Sequence, residues 1–310
     1  MKVLSLFDGI SCGMVALERA GIKVDEYYAS EIDEDAIAIS QKNYPGIIRL
    51  GDVTKWREWN IPWSEIDLLI GGSPCQGFSF AGKKLNFNDE RSKLFFEFVD
   101  ILNHIKQHQP SILFLLENVV MKEEHQNIIS ERLGVEPVLI NSNSFSAQNR
   151  PRLYWCNWEI PHPIDESKYT LRDVFDCKLK HREIKINHPE TIVKCKSYYQ
   201  YDQNLKGHKS QDQRYFDIDT KSNTLLLSGS SIPKVKVDDG KIYLLTPREC
   251  AKLQTLDGDY IDVKGVSGAA QYKALGNGWT VDVIAYIFTY IKLHHKQSRR
   301  DWLNELLGGV

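Results

Sequence analysis

Short apolar segments alternate with segments of helical periodicity along residues 1–158. The apolar segments are short and apolar on both faces, which is typical of buried strands. They are VLSLF (3–7), EYYASEI (26–32), IIRLGDV (47–53), IDLLIGG (66–72), SILFLLENV (111–119), EPVLINSNSF (136–145) and RLYWCNW (152–158). Helices are predicted at GMVALERAG (13–21), DEDAIAISQKNY (33–44), KLFFEFVDILNHIKQ (93–107) and HQNIISERLG (125–134). This alternation predicts a mostly parallel α/β sheet with helices on both faces.

The pattern changes between residues 159 and 270, where polar, basic and aromatic residues mix with little helical period. Lysine and arginine outnumber acidic residues over 165–245, although the whole chain has a formal charge of −2. The positive charge is therefore concentrated in this segment. After it, the chain returns to an apolar helix over 271–293 and a surface helix in the tail, 296–310. We expect a domain at 1–158, a small domain at 159–270 and C-terminal helices at 271–310 that return to the first domain.

Composition and cysteine spacing exclude several classes of protein. The chain is 42% hydrophobic and 26% charged, as soluble globular proteins are. It begins without the basic and apolar regions of a secretory signal, and no segment has the roughly 20 apolar residues of a membrane span. The six cysteines show no C-x-x-C spacing, so neither a zinc site nor a redox pair is indicated. We therefore expect a cytoplasmic protein without a metal site or membrane contact.

Polar or glycine residues follow three successive predicted strands, at the edge where open α/β sheets bind ligands. Gly9 follows the first strand, Glu31 lies at the end of the second, and Asp52 ends the third. A glycine turn before a helix suits a nucleotide-type cofactor, with Glu31 on ribose hydroxyls and Asp52 on an adenine amino group. The alternative is that Glu31 and Asp52 only cap the segments DEDA and TKW.

Cys75 follows the fourth strand in the sequence GGSPCQ. Most cysteines in such chains are small core residues, but two glycines and a proline form a rigid turn that a core cysteine does not require. Glu117 lies near the end of the next strand, a predicted neighbour, and Arg150 and Arg152 stand two apart at a strand start, on one face. A thiol, a carboxylate and guanidinium groups together suit attack on an electron-poor heterocycle.

The stretches FDG, GGSPCQGFS, ENV, QNRPR and GNGWTV, in this order, closely resemble the motifs of DNA cytosine-5 methyltransferases. The resemblance covers 3–158 and 246–290, and it is nearest in appearance to the animal de novo DNA methyltransferases and their phage and bacterial relatives. It implies a Rossmann-like fold that uses S-adenosylmethionine, yields S-adenosylhomocysteine and needs no metal. It also implies that the segment before the last motif is a target-recognition domain that reads double-stranded DNA.

The resemblance implies a role for each candidate site residue. Cys75 would add to C6 of a flipped-out cytosine while Glu117 protonates or hydrogen-bonds N3. Arg152 would contact the base or nearby backbone, Arg150 would order the loop around Cys75, and 78–93 would close over the base. The cofactor pattern falls on Phe7, Asp8, Gly9, Ile10, Glu31, Ile32, Asp52, Val53, Pro74, Asn277, Gly278 and Trp279. Two departures from the commonest family pattern are Ser11-Cys12 and Trp279, although the animal de novo branch also has tryptophan.

Candidate DNA contacts are the basic and aromatic residues of the small domain, although a solvated surface is the simpler interpretation for any single lysine. They are Lys178, Lys180, Arg182, Lys185, Lys194, Lys196, Lys206, Lys209, Arg214, Tyr198, Tyr199, Tyr201 and Tyr215. The stretch TPRECAKLQTLDGDY (246–260) resembles the penultimate family motif, which gives Arg248 and Glu249 structural roles.

Two other functions stay open at this point. One branch of the family acts on transfer RNA, and a catalytically silent regulator could share the fold. The resemblance also implies a nucleoid-associated protein of a prokaryotic or phage-infected cell. A cognate restriction endonuclease, the target sequence and the choice between monomer and dimer are not determined by the residues.

Overall fold

The computed structural model describes residues 1–74, 90–163, 167–202, 211–226 and 232–291, without the side chains of 90–92. Its strands are β1 Lys2–Leu6, β2 Glu26–Ser30, β3 Ile48–Arg49, β4 Leu68–Gly71, β5 Leu113–Val119, β6 Val138–Asn141, β7 Pro151–Cys156, β8 Arg182–Glu183, β9 Val193–Lys194, β10 Tyr199–Gln200, β11 Arg214–Asp217, β12 Lys234–Lys236 and β13 Ile242–Leu244. Its helices are α1 Cys12–Arg19, α2 Glu34–Asn43, α3 Glu90–His108, α4 Glu123–Leu133, α5 Leu171–Val174, α6 Pro247–Leu253, α7 Gly268–Asn277 and α8, 281–291.

Seven strands among the described residues form the larger sheet, in the order β3-β2-β1-β4-β5-β7-β6. All pairings from β3 to β5 are parallel, whereas β7 is antiparallel to both β5 and β6. The prediction of a mostly parallel sheet is confirmed, as is the prediction that β4 and β5 are neighbours. β7 reverses direction because residues 142–150 are too few for a parallel crossover, which needs about a dozen residues or more. The strand order switches direction between β1 and β4, which is where such sheets bind ligands.

The two faces of the larger sheet are covered by separate hydrophobic clusters. Along β1, Val3 packs into one cluster while Leu4 and Leu6 pack into the other, as alternating side chains of a strand do. The first cluster includes buried residues of α1, α2 and α8, and the second includes buried phenylalanines of α3. Each fully buried apolar side chain stabilises the fold by about 1.5–3 kcal/mol. Both faces of β1 are therefore buried, as its sequence predicted.

A second sheet lies between residues 182 and 244, and the part of it that the structure describes has six short strands in the order β8-β13-β12-β11-β10-β9. Only the β11–β12 pair among them is parallel. A bridge between Gln148 and Ser222 links the segment after β11 to the segment before β7. The sheet thus lies inside the polar segment that the sequence set apart, and the division of the chain into domains stays a prediction.

The structure corrects two predicted elements. The strand predicted over 47–53 is only Ile48–Arg49, because the chain turns at Gly51 with φ of 74° and a 3-10 turn follows over Val53–Glu58. The continuous helix predicted after 270 is wrong, because α7 ends at Asn277 and α8 begins at 281. The predicted tail helix lies outside the described residues. None of the described helices is long and apolar enough to cross a bilayer.

Candidate active site

Glu117, near the end of β5, is held by an ion pair with Arg152 and by a hydrogen bond from Trp279. Arg152 Nε lies 3.0 Å from Glu117 Oε1, and Trp279 Nε1 donates to Glu117 Oε2 at 3.2 Å. The antiparallel register pairs Val119 with Arg152, which brings the guanidinium group to the carboxyl end of β5. Glu117 is only 9% exposed. The predicted approach of this carboxylate to an arginine at the same edge is observed, and the catalytic roles of both stay predictions.

The turn that leads to Cys75 is tied to the end of β5. The amide Nδ2 of Asn118 donates to the main-chain oxygen of Ser73 at 3.2 Å and to its hydroxyl at 3.3 Å. Pro74 is exposed at the end of this turn. Cys75, and the part of the predicted closing segment up to residue 89, lie outside the described residues. Asn118 therefore holds the turn at Ser73 that precedes Cys75 in the sequence, a role that the sequence reasoning did not give it.

Arg150 is 4% exposed and donates to three main-chain carbonyls: Leu225 at 2.9 Å, Gly276 at 2.8 Å and Gly278 at 2.9 Å. Burial and then the nearby Arg152 lower the pKa of Arg150 to about 9, which leaves it charged at neutral pH. Arg150 occupies the carbonyls of Gly276 and Gly278, which a continuous helix would use for its own hydrogen bonds. Arg150 therefore favours the break between α7 and α8. The predicted contact with the loop around Cys75 lies outside the described residues.

Two buried glutamines extend this polar network, and sequence reasoning missed both. Gln148, fully buried, donates to the carbonyl of Leu253 at 3.2 Å and accepts from the N–H of Leu225 at 2.9 Å. Gln254 donates to the carbonyl of Gly278 at 3.1 Å and accepts from the Thr280 hydroxyl at 2.8 Å. Buried amides require such partners. The sequence did contain one signal for this network, because Gln148 is the first residue of the QNRPR stretch.

Glu31 accepts three main-chain hydrogen bonds just beyond β2. The N–H of Gly9 lies 2.8 Å from Oε2, and the N–H groups of Ile32 and Asp33 lie 2.8 and 2.9 Å from Oε1. The N-cap of α2 is Asp33, so the alternative that Glu31 caps this helix is wrong. The bonds from Ile32 and Asp33 use both lone pairs of Oε1, whereas Oε2 keeps one lone pair for a further donor. Glu31 is therefore a fixed acceptor at the edge where a ribose was predicted to bind.

Asp52 does cap the 3-10 turn that follows it, since Oδ1 accepts from the N–H of Thr54 at 2.9 Å. Its Oδ2 takes no hydrogen bond within the described residues, so it can accept one from a ligand. Ile32, next to Glu31 in the sequence, is 70% exposed, and its side chain offers an apolar surface. The side chains of Ile10 and Val53, by contrast, are buried in the core, so only their main chains can meet a cofactor.

The side chain of Asp8 is directed at hydroxyl groups of the protein. It accepts from Ser5 Oγ at 2.6 Å, from Tyr27 OH at 2.8 Å and from Ser11 Oγ. Burial raises the pKa of this carboxyl group, and the hydroxyl donors oppose that rise. The turn around it is tight: Phe7, Gly9 and Ser11 all have φ near 60°. Asp8 thus orders the turn, leaving the main chain of Phe7 and Gly9 as the part that can approach a ligand.

These residues fit S-adenosylmethionine. Acceptors at Glu31 and Asp52 suit hydroxyl and amino groups, and Ile32 suits a flat apolar ring. A Cβ at Gly9 would meet nothing within 4 Å, so this turn faces open space. Asn277, Gly278 and Trp279 follow at the end of α7, with the indole at Glu117. No group of three or more potential metal ligands occurs among the described His, Cys, Asp and Glu residues.

Basic and aromatic side chains lie close together on the second sheet. The tyrosines of β10 and β11, Tyr199 and Tyr215, are stacked with ring centroids 4.8 Å apart, and Lys194 lies 5.7 Å from the Tyr199 ring. The guanidinium group of Arg214 lies 4.4 Å from the ring of Tyr198. Of the candidates, Lys178, Lys180, Arg182, Lys185, Lys194 and Lys196 are exposed, Tyr198, Tyr199 and Arg214 are half-buried, and Tyr201 and Tyr215 are buried. Lys206 and Lys209 lie outside the described residues.

The residues of the predicted structural motif make structural contacts. Glu249 is fully buried and forms a capping box with Thr246 at the start of α6. Its Oε1 also lies 2.9 Å from His181 Nε2, which connects α6 to the second sheet. Arg248 pairs with Asp262 at 2.5 Å. Neither side chain is placed at Glu117, in agreement with the prediction.

The sheet order, with a glycine turn and acidic side chains beyond the ends of its first strands, defines a Rossmann-like fold with a site for a nucleotide-type cofactor. Residues 1–293 match the family model described as C-5 cytosine-specific DNA methylase, and the chain belongs to this family of enzymes.

Named relatives agree with this membership, and a solved structure has the same fold. The chain is 30% identical to the Type II methyltransferase M.HpaII of Haemophilus parainfluenzae, over 91% of this chain and 86% of that protein. It is 38% identical to the orphan methyltransferase M.Rho11sI of Bacillus phage rho11s, over 50% of this chain and 32% of that protein. The Dnmt2 methyltransferase of S. pombe shares the fold, with a TM-score of 0.68 and 19% identity over 93% of this chain and 97% of that one. The special likeness to the animal de novo branch stays a prediction.

Proposed function

We propose that this enzyme methylates C5 of a flipped-out cytosine at a specific sequence in double-stranded DNA, through a covalent bond between Cys75 and C6. The observation that carries the proposal is the Glu117 carboxylate, fixed at 3.0 Å from Arg152 beside the turn that leads to Cys75. A base held there would meet an acid, a guanidinium group and a thiol at one edge of the sheet. These are the groups that addition to C6 requires.

The roles of the side chains follow from the chemistry of cytosine. C5 is a poor nucleophile until a thiolate forms a bond to C6, which moves the electron pair of the C5–C6 double bond towards C5. Glu117 would give a proton or hydrogen bond to N3, and Arg152 would orient both the carboxylate and the base. When bound, S-adenosylmethionine supplies the methyl group and leaves as S-adenosylhomocysteine. Loss of the C5 proton and of the thiolate then restores the aromatic ring.

The segment 159–270 is proposed to read the DNA sequence. Its exposed lysines and arginines can neutralise phosphates, and its side chains on the second sheet can reach base edges once the target base leaves the stack. The hydrogen bonds of Leu225 to Gln148 and Arg150 support a close connection between this segment and the catalytic sheet. The closing role of 78–93 is part of the same proposal.

Bisulfite sequencing of DNA from cells that express the enzyme tests the proposal and yields the target motif. We expect methylation at a defined sequence with the wild type and none with Cys75→Ala, while the affinity of this variant for S-adenosylmethionine stays nearly unchanged. Cys177→Ala, which changes an exposed free thiol, is the matched control and should keep activity. DNA carrying 5-fluorocytosine at the target should trap a covalent adduct, because fluorine cannot leave as a proton.

Parallel methyl-incorporation assays on duplex DNA and on transfer RNA separate the alternative substrates. Incorporation into transfer RNA alone would refute the DNA proposal, and full activity of Cys75→Ala would refute the nucleophile. Absence of transfer to either substrate would favour a silent regulator. The methylated motif also tests a paired restriction endonuclease, which would cut that same motif when it is unmethylated.

A further inference from the structure

The indole of Trp279 makes a second contact with the proposed catalytic acid. Arg152 Nε meets Glu117 Oε1 at 3.0 Å, and Trp279 Nε1 donates to Glu117 Oε2 at 3.2 Å. Among the described residues, Oε1 is therefore held by an ion pair and Oε2 by a hydrogen bond, and the two contacts together fix the plane of the carboxylate. With one donor alone, the group could rotate about its Cγ–Cδ bond.

The second glycine of the GGSPC stretch makes room for this pair. A Cβ at Gly72 would lie 3.0 Å from Trp279 Nε1 and 3.1 Å from Glu117 Oε2. Gly72 does not have a positive φ, so its backbone conformation does not require glycine. The narrow space beside the indole and the carboxylate is what requires glycine at this position. A position two residues before Pro74 is thus shaped by the contact between Trp279 and Glu117.

The residues on both sides of Trp279 are held as well. The carbonyl of Gly278 accepts from Arg150 at 2.9 Å and from Gln254 at 3.1 Å. The Thr280 hydroxyl donates to Gln254 Oε1 at 2.8 Å. Because these donors are buried side chains, the turn between α7 and α8 presents the indole in one place.

We propose that Trp279 is a positioning residue for Glu117, in addition to any contact with the cofactor. Its N–H sets the carboxylate plane so that one oxygen can reach N3 of the target cytosine within about 2.6–3.2 Å. The inference rests on the proposed function, and it deepens that function by naming the group that orients the acid.

Proton exchange at C5 without cofactor isolates this role. After the Cys75 thiolate bonds to C6, C5 can take a proton from water. It then loses its original hydrogen to water as the S–C6 bond breaks and the C5–C6 double bond re-forms. With duplex DNA that carries tritium at C5 of the target cytosine, tritium appears in the solvent. This reaction needs Glu117 but no methyl donor, so a cofactor contact alone cannot affect it.

We expect Trp279→Phe to slow cofactor-free exchange by about 10- to 100-fold, in line with the cost of misplacing a catalytic group. Single-turnover methyl transfer at saturating cofactor should fall in parallel, with Glu117→Gln as the reference for a lost acid. The matched control is Trp56→Phe, which removes an indole N–H bond of 2.8 Å to the Glu97 carboxylate away from the site. It should keep both rates within about twofold of wild type.

A second variant distinguishes loss of the indole N–H from a packing defect. Trp279→3-benzothienylalanine replaces only the N–H by sulfur and keeps the size of the ring, and we expect it to lose exchange as Trp279→Phe does. Unchanged exchange in this isostere, with only a raised KM for the cofactor, would overturn the inference and leave the proposed function intact. If wild type exchanges too slowly to measure, unchanged single-turnover transfer in the isostere would overturn it. A wild type without exchange or transfer would overturn the proposed function, and this inference with it.

Discussion

Replacement of Glu31 by glutamine keeps the shape of the side chain but turns one acceptor oxygen into an N–H donor. To keep the bonds from Ile32 and Asp33, the amide oxygen must occupy the place of Oε1. The new NH2 group then faces the N–H of Gly9, which now lies 2.8 Å from Oε2. One hydrogen bond to a charged group is lost, worth about 1.5–3 kcal/mol, and a ribose hydroxyl loses an acceptor at the same oxygen.

We expect Glu31→Gln to weaken S-adenosylmethionine binding by about 10- to 100-fold, since each factor of ten corresponds to about 1.4 kcal/mol. Isothermal titration calorimetry gives the Kd, and urea unfolding without cofactor gives the change in stability. A Kd within about twofold of wild type would refute the assignment of Glu31 to the cofactor.

Asp33→Ala is the matched control for an effect on α2 alone. It removes the N-cap bonds to Asp35 and Ala36 and the ion pair with Lys273, but keeps every N–H that Glu31 accepts. We expect a loss of about 0.5–2 kcal/mol of unfolding free energy with an unchanged Kd. Equal losses of affinity in both variants would show that Glu31 acts only through the helix.

Two further predictions concern packing and pH. Gly72→Ala should lower the rate of methyl transfer about tenfold at saturating cofactor, because its Cβ displaces the Glu117 carboxylate. Gly71→Ala is the control: its Cβ meets Leu6 O and the Phe98 ring at 3.1 Å, so it should mainly lower the free energy of unfolding. Arg172 hydrogen-bonds and lowers the pKa of Asp219 and Asp238, so this stabilisation is complete above the ordinary aspartate pKa of about 3.9 and is lost as pH falls through the lower folded-state values. Urea unfolding should show a larger defect of Arg172→Gln at pH 7 than at pH 3, and equal defects would contradict it.

The elements and the edge that holds the site could be predicted because they depend on local pattern. Apolar runs bounded by turns gave the strands, and parallel strands bring their carboxyl ends together, so Glu31 and Glu117 were placed correctly from their positions after β2 and near the end of β5. The special backbone of the first turn was suggested by glycine, but Phe7 also has φ of 58°. A large residue in that region gives no local signal.

Contacts between distant parts of the chain could not be read from the sequence. The helix predicted over 271–293 breaks because buried side chains of Arg150 and Gln254 occupy the carbonyl of Gly278, and these donors belong to other segments. The indole of Trp279 reaches Glu117 across 162 positions of sequence for the same reason. Asp52 shows the limit of a local interpretation, since one oxygen caps a turn while the other remains available.

Leu225 is hydrogen-bonded through both its N–H and its carbonyl. These bonds limit which segments could be exchanged with relatives to change the target sequence. Leu225 gives its N–H to Gln148 and its carbonyl to Arg150, while Ser222 pairs with the main chain of Ala147 and Asn149. A chimera that took all of 159–270 from a relative would lose the Leu225 carbonyl, and it would need another acceptor for the buried guanidinium group of Arg150. Grafts that retain 220–226 from the host would leave that carbonyl in place. If 159–270 reads the DNA as proposed, specificity is best exchanged in two pieces, 159–219 and 227–270, with 220–226 kept from the host.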